Sequence, residues 1–165
     1  MILLVAITFL TGYCANPFAP ALSDKSVISS LSDQTNTNGV FENFRYAYNA
    51  KDTIVYGNLL ADDFTFVYWN YDTSPMAPLA WGRQEDMLHT NGLFQGTDKL
   101  DLIWNEAISS EGDSLSVNIS RGFTLTVYFS PSTIVRVQGR AAFNLTRKTG
   151  TAPWKISRWS DESFY

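Results

Sequence analysis

LSVNISRGFTLTVYF, Leu115–Phe129, and VRVQGRAAFNL, Val135–Leu145, are the two stretches on which the fold turns. In the first, Leu115, Val117, Ile119, Phe123, Leu125, Val127 and Phe129 mark one face, and Ser116, Asn118, Ser120, Thr124 and Thr126 the other. In the second, Val135, Val137, Ala141, Phe143 and Leu145 stand against Arg136, Gln138, Arg140, Asn144 and Thr146. A period of two sustained over such runs puts one face of each strand on a core and leaves the other wet. Pro131 to Thr133 supplies the turn between them.

Working outward, Lys148 to Pro153 forms the next turn and Trp154 to Trp159 a closing strand, while Leu100, Leu102 and Trp104 alternate with polar residues upstream. Phe64, Phe66 and Tyr68, interleaved with Thr65, Val67 and Trp69, predict a strand with two apolar faces. The stretch from Asn70 to Pro78, with two prolines, predicts a loop. Earlier residues follow helical spacing. Thr37 or Asn38 can cap a helix carrying Val40, Phe41, Phe44, Ala47 and Tyr48. Asp52 can cap a second, with Val55, Tyr56, Leu59 and Leu60, ended by Asp62 and Asp63. Arg83 to Phe94, with Met87 and Leu88, predicts a third, closed by Gly92 or Gly96. Helix, helix, strand, helix and then four strands predict an α+β domain, a strongly bent antiparallel sheet wrapped around N-terminal helices.

The totals agree with one core. The chain has 165 residues, 45% of them hydrophobic and 15% aromatic, which excludes disorder throughout. A net charge of -4 and the lack of any Lys/Arg run argue against nucleic acid as a partner. A single cysteine, Cys14, rules out an internal disulfide and a cysteine-rich metal site.

The first residues predict an address. Met1 to Leu10 is almost wholly apolar and about half as long as a membrane span, so residues 1–13 are expected to be a signal peptide. Cys14 follows directly, the position at which bacterial lipoproteins carry their lipid, and residues 14–36, rich in Ser, Thr, Asp and Asn with Pro17 and Pro20, have tether composition. The expected location is the bacterial cell envelope, lipid-anchored to a membrane. Tyr13 stands where a small residue is usual, which leaves ordinary secretion as the alternative. Residues 37–165 form the expected domain.

Several motifs carry a resemblance: Phe44 to Asp52 on the first helix, Leu59 to Phe64 at the helix-to-strand junction, Trp81-Gly82-Arg83 opening the third helix, and Trp154-Lys155-Ile156 in the last strand. In their order they resemble the nuclear transport factor 2-like superfamily, with its polyketide-cyclase (SnoaL-like) and ketosteroid isomerase branches, which implies a cone of curved sheet around helices. Asn16-Pro17-Phe18-Ala19-Pro20 and Trp159-Ser160-Asp161-Glu162-Ser163 are similar to stretches in uncharacterised bacterial lipoproteins, a resemblance that supports the anchor and implies no activity. Ketosteroid isomerase chemistry needs a carboxylate base, a tyrosine donor and a protonated aspartate. The matching positions here are Tyr68, Phe44 and the Arg140 to Phe143 stretch, so the resemblance does not extend to that reaction.

Candidate site residues follow, each with a plainer alternative. His89, the only histidine, would serve as a pocket acid or base, or as a solvated structural residue. Without a second histidine or a carboxylate cluster it predicts no metal site, and nothing calls for a cofactor. Asp62 and Asp63 suit capping and turn roles better than catalysis. Asp161 and Glu162, beside Trp159, would face the cone mouth or pair with Arg83 or Arg158. Tyr46, Tyr68, Trp69, Trp81, Trp104 and Trp159 would line a pocket for a small apolar ligand, or fill it. Arg83 would anchor an anion, or form an ion pair. Three functions stay open: a non-catalytic or ligand-binding envelope lipoprotein, a cyclase- or isomerase-type enzyme using His89, Asp161 or Glu162, and a structural homodimer formed through a sheet face.

Overall fold

A computed structural model describes residues 31–70 and 77–162; Cys14, the Asn16 to Pro20 stretch and Ser163 lie outside them. Helix α1 (Thr37–Ala50) begins at Asn36, whose side chain accepts from the Gly39 amide, one residue before the expected caps. It ends where Lys51 turns left-handed (φ 56°, ψ 41°) and sends its Nζ to the Thr97 carbonyl at 2.7 Å. Ahead of α1, residues that composition alone placed in the tether are held to the domain: Asn43 Oδ1 accepts from the Ser32 amide at 2.8 Å, and Gln34 donates through Nε2 to the Trp154 carbonyl at 2.8 Å. Gly39 makes room for this segment, since a Cβ there would lie 2.0 Å from Ser32 Oγ.

Asp52 caps α2 (Thr53–Leu59), its Oδ1 accepting from the amides of Ile54 and Val55, each at 2.9 Å. Removing that acceptor leaves two first-turn amides without a protein partner, so Asp52→Ala is expected to cost about 1 kcal/mol. A melting point lowered by a few degrees would show it; an unchanged one would mean that the cap does not hold the helix.

The sheet has six strands in the order β2-β1-β6-β5-β4-β3: β1 (Leu60–Asn70), β2 (Ala77–Gly82), β3 (Lys99–Gly112), β4 (Ser116–Ser130), β5 (Thr133–Thr146) and β6 (Lys155–Asp161). Helix α3 (Arg83–Gln95) lies between β2 and β3 in the chain. The expected α+β architecture is present, with two differences. Strand β2 was not expected: its first residues, Ala77 and Pro78, fall in the stretch read as loop, and it pairs Trp69 with Pro78 and Phe66 with Trp81. Pro78 fits because β2 is an edge strand, where a missing amide costs least. The sheet is also mixed, since β6 inserts between β5 and β1 and runs parallel to β1. Asp62 and Asp63 sit within β1 and are exposed, so β1 starts earlier than the residues expected to end α2.

The two deciding runs pair as expected, Ile119 opposite Phe143 and Leu125 opposite Val137. Val117, Ile119, Val127, Ala141, Phe143 and Leu145 are buried on the helix side. Leu115 and Phe129, at the two ends of the first run, and Val135, at the start of the second, are exposed although the alternation places them on the core face. Register shifts at Trp104/Ala107, Ala107/Ser109 and Asn144/Leu145 bend the strands, as bulges do, and the curved sheet remains unclosed.

Candidate functional site

The concave side of the sheet and the three helices enclose an interior built of rings. Phe44, 1% exposed on α1, is its hub. It stacks on Tyr48 (centroids 4.9 Å apart, planes at 17°) and stands edge-on to Tyr56, Trp104 and Trp159 at 5.5, 5.3 and 5.6 Å. Phe143, on β5, stacks on Trp159 at 5.6 Å and meets Trp104 edge-on at 5.6 Å. Phe41 closes against Trp104 and Phe143, both at 5.3 Å. Edge-to-face pairs at such separations are the favoured geometry of quadrupolar rings, each adding about 0.5–1.5 kcal/mol beyond its burial. Alternation in the strands and helical spacing in α1 aim these side chains at one point.

Two donors in this cluster lack acceptors among the described residues: the indole N–H groups of Trp104 and Trp159 are buried and make no hydrogen bond there. Their surroundings are mostly ring faces and edges, and a ring face accepts an N–H only weakly. Arg121, half-buried on the same side of β4, lies over the Phe41 ring at 4.6 Å and donates through Nε to the Asn105 carbonyl at 3.0 Å. Loss of hydration pulls its guanidinium below the ordinary arginine range.

A second cluster joins the helices to β2. Asp86, only 4% exposed, accepts from Tyr56 Oη at 2.7 Å on Oδ2 and from Trp81 Nε1 at 3.0 Å on Oδ1. Burial pushes its carboxyl above the usual carboxylate range, against the opposing effect of the two hydrogen bonds and of His89. Tyr56 and Tyr48 are both raised, first by burial and further by the neighbouring Asp86. Each carboxylate oxygen thus has a donor supplied by the protein, so Asp86 orients Tyr56 and Trp81 and presents neither oxygen unengaged. Nothing in the sequence reading singled it out. The available signal was the spacing Asp86, Thr90, Phe94, a buried helical stripe in which a first-turn acid takes a core position.

The expected site residues scatter over three places. Trp81, Trp104 and Trp159 belong to the interior, with Tyr68 half-buried at its edge, 5.1 Å from Trp81. Tyr46 is half-buried and enters none of the ring contacts among the described residues, while Trp69, 49% exposed, points away from the cone. His89 is exposed: it lies 3.7 Å from Glu85 and its ring 4.9 Å from Trp81, outside the cluster that Trp81 helps to form. Asp161 lies on the cone side of β6, two residues past Trp159, and Glu162 on the opposite face, within 3.4 Å of Ser120 Oγ. Arg83 reaches back to the end of α2, donating through Nη2 to the Gly57 carbonyl at 3.0 Å, beside Lys155, which donates to the Asn58 carbonyl. Two cations at a helix C-terminus meet its negative end. Among the described residues no group of three or more His, Cys, Asp or Glu could hold a metal, and no helix is long and apolar enough to cross a membrane.

No family model matches the chain, and no curated protein does. Solved structures do. A nuclear transport factor 2-like protein of unknown function in nutrient uptake from Rhodospirillum rubrum is 18% identical, with a TM-score of 0.61 over 79% of this chain and 99% of its own. A protein proposed to be a scytalone dehydratase, from Novosphingobium aromaticivorans, is 11% identical, with a TM-score of 0.65 over 78% of this chain and 81% of its own. A proposed dehydratase of the nuclear transport factor 2-like family from Streptomyces avermitilis is 12% identical, with a TM-score of 0.62 over 81% and 97%. At these identities the likeness is one of fold.

Proposed function

We propose that this chain, which has the nuclear transport factor 2-like fold and aromatic rings in contact across its interior, is a non-catalytic binding domain held at the cell envelope, its cone filled by its own side chains. One observation carries this reading: Phe44, Phe143, Trp104 and Trp159 contact one another where an open cone would hold a substrate. The dehydratases among its structural neighbours suggest an enzyme, but here the histidine is exposed and the buried acid, Asp86, has both oxygens hydrogen-bonded within the protein. General acid–base work requires a group that can reach the reacting atom.

Titration with 1-anilinonaphthalene-8-sulfonate tests the reading. A filled interior gives no saturable rise in dye fluorescence at neutral pH, whereas one-to-one saturable binding at low micromolar dye would overturn it. A second reading rests on the partnerless indoles of Trp104 and Trp159, which would serve a small ligand bearing a carbonyl or carboxylate oxygen, with Asp161 on the same side of β6 as the acid or base of an enzyme. That reading requires the dye to bind and a carbonyl-bearing competitor to displace it.

The address belongs to the same proposal: cleavage before Cys14, acylation of its thiol, and a tether ending near Ser32, where the chain joins the domain. Metabolic labelling with a radioactive fatty acid in a bacterial host is expected to mark the wild-type protein and leave Cys14→Ala unlabelled and released from membranes. Equal release of both proteins would favour secretion in soluble form.

A further inference from the structure

The sheet face turned away from the helices carries a cavity of about 320 Å³. Its origin lies in the strand register. Ser109, Ser120, Ala142 and Ser160 stand opposite one another across β3, β4, β5 and β6, so four adjacent strands present small side chains in one row. Longer groups rise on either side, with Asn118, Asn144 and Arg158 forming the next row and Glu162 standing beyond Ser160.

We propose that this cavity is a binding site for a neutral, polyhydroxylated ligand of the sugar type. The lining groups exclude the other classes. Asn144 is fully engaged: its amide nitrogen donates to Asn118 Oδ1 at 2.9 Å and to Ser116 Oγ at 3.3 Å, and its carbonyl groups accept from Ser157. That bond fixes Asn118 with its oxygen used, leaving the amide N–H groups of Asn118 for the cavity. Arg158 is held by Nε to Ser160 Oγ at 3.3 Å, and its Nη groups make no hydrogen bond among the described residues. Glu162 accepts from Ser120 Oγ at 3.4 Å and keeps acceptor capacity. Donors therefore dominate near Arg158 and acceptors near Glu162, about 13 Å apart along one strand, with hydroxyls between.

An apolar ligand would leave these groups desolvated and unmatched. An anion would meet Glu162, and a cation would meet Arg158. A hydroxyl group both donates and accepts, so adjacent hydroxyls can satisfy the arginine end and the carboxylate end at once. A volume of about 320 Å³ matches the low end of small-molecule sites. The proposal does not depend on the cone being closed, since the two lie on opposite faces of the sheet.

The test is saturation-transfer difference NMR on the full-length chain, with glucose, N-acetylglucosamine and maltose as neutral probes and glucose 6-phosphate and glucosamine as charged counterparts. Saturable transfer to at least one neutral sugar is expected, with weaker transfer to its charged counterparts. Ala142→Trp, which fills the floor from the wet side of the sheet, is expected to abolish it. Arg158→Gln and Glu162→Gln are each expected to raise Kd about fivefold to tenfold, the effect of exchanging one charge-assisted hydrogen bond for a neutral one. Circular dichroism shows whether Ala142→Trp is folded, and the two glutamine variants, which alter no packing, serve if it is not. Absence of transfer to all three neutral sugars, or transfer undiminished in all the variants, overturns the proposal. So does a wild-type dimer that Ala142→Trp converts to a monomer, because the face would then be an interface between copies.

Discussion

Phe44→Ala is expected to destabilise the protein by about 3–5 kcal/mol, the cost of removing a buried ring whose neighbours cannot collapse into the space. Collapse is blocked because the rings around Phe44 come from separate elements: Tyr48 from α1, Tyr56 from α2, Trp104 from β3, Phe143 from β5 and Trp159 from β6. Such a loss is a large part of the 5–15 kcal/mol that holds a domain together, so Phe44→Leu, with a smaller void, is the companion variant. Urea unfolding measures both. The functional consequence is the sharper result. A hole lined by rings stays dry and takes up apolar guests, so toluene or indole is expected to raise the melting point of Phe44→Ala while leaving the wild type unchanged. Wild-type stabilisation by either compound would mean that the interior already has room.

Asp86 gives the second large effect. Asp86→Ala takes away the acceptor of both Tyr56 Oη and Trp81 Nε1, leaving two buried donors unsatisfied, and is expected to cost about 2–4 kcal/mol. Asp86→Asn keeps an acceptor and a donor of the same shape and is expected to lose far less. The pair also separates by pH. Burial raises the Asp86 pKa above its ordinary value of 3.8, so the folded state holds this proton more tightly than the unfolded chain. Stability from this group is therefore fully present below pH 3.8, falls as pH rises from there through the raised folded pKa, and is level above it. Melting points across that interval are expected to show wild type losing ground to Asp86→Asn as pH increases. A difference independent of pH would mean that the carboxyl is not perturbed.

Sequence reading reached the elements whose period is long and one-sided. The alternation in Leu115–Phe129 and Val135–Leu145 gave the central hairpin and its buried face, and Phe41, Phe44 and Tyr48 the core stripe of α1. Strand β2 escaped because Pro78 and the polar residues before it carry turn signals, while its pairing with β1 is a tertiary fact. The parallel placement of β6 escaped for a similar reason, since local pattern does not encode which strands become neighbours. Of the four tryptophans read as inward-facing, Trp81, Trp104 and Trp159 pack against the core and Trp69 does not, and whether those three line a space or fill it depends on summed volumes that no local pattern contains. Asp86 was the largest gap. An acid in the first turn of a helix is ordinarily placed there by the helix dipole, and only the tertiary position of Tyr56 and Trp81 makes it a core residue.

The most direct test of a filled interior is crystallography of the wild-type protein under xenon pressure, since xenon enters apolar voids without needing hydrogen bonds. No xenon density is expected among Phe44, Trp104, Phe143 and Trp159, and density ringed by those four side chains would show an open cone and contradict the account.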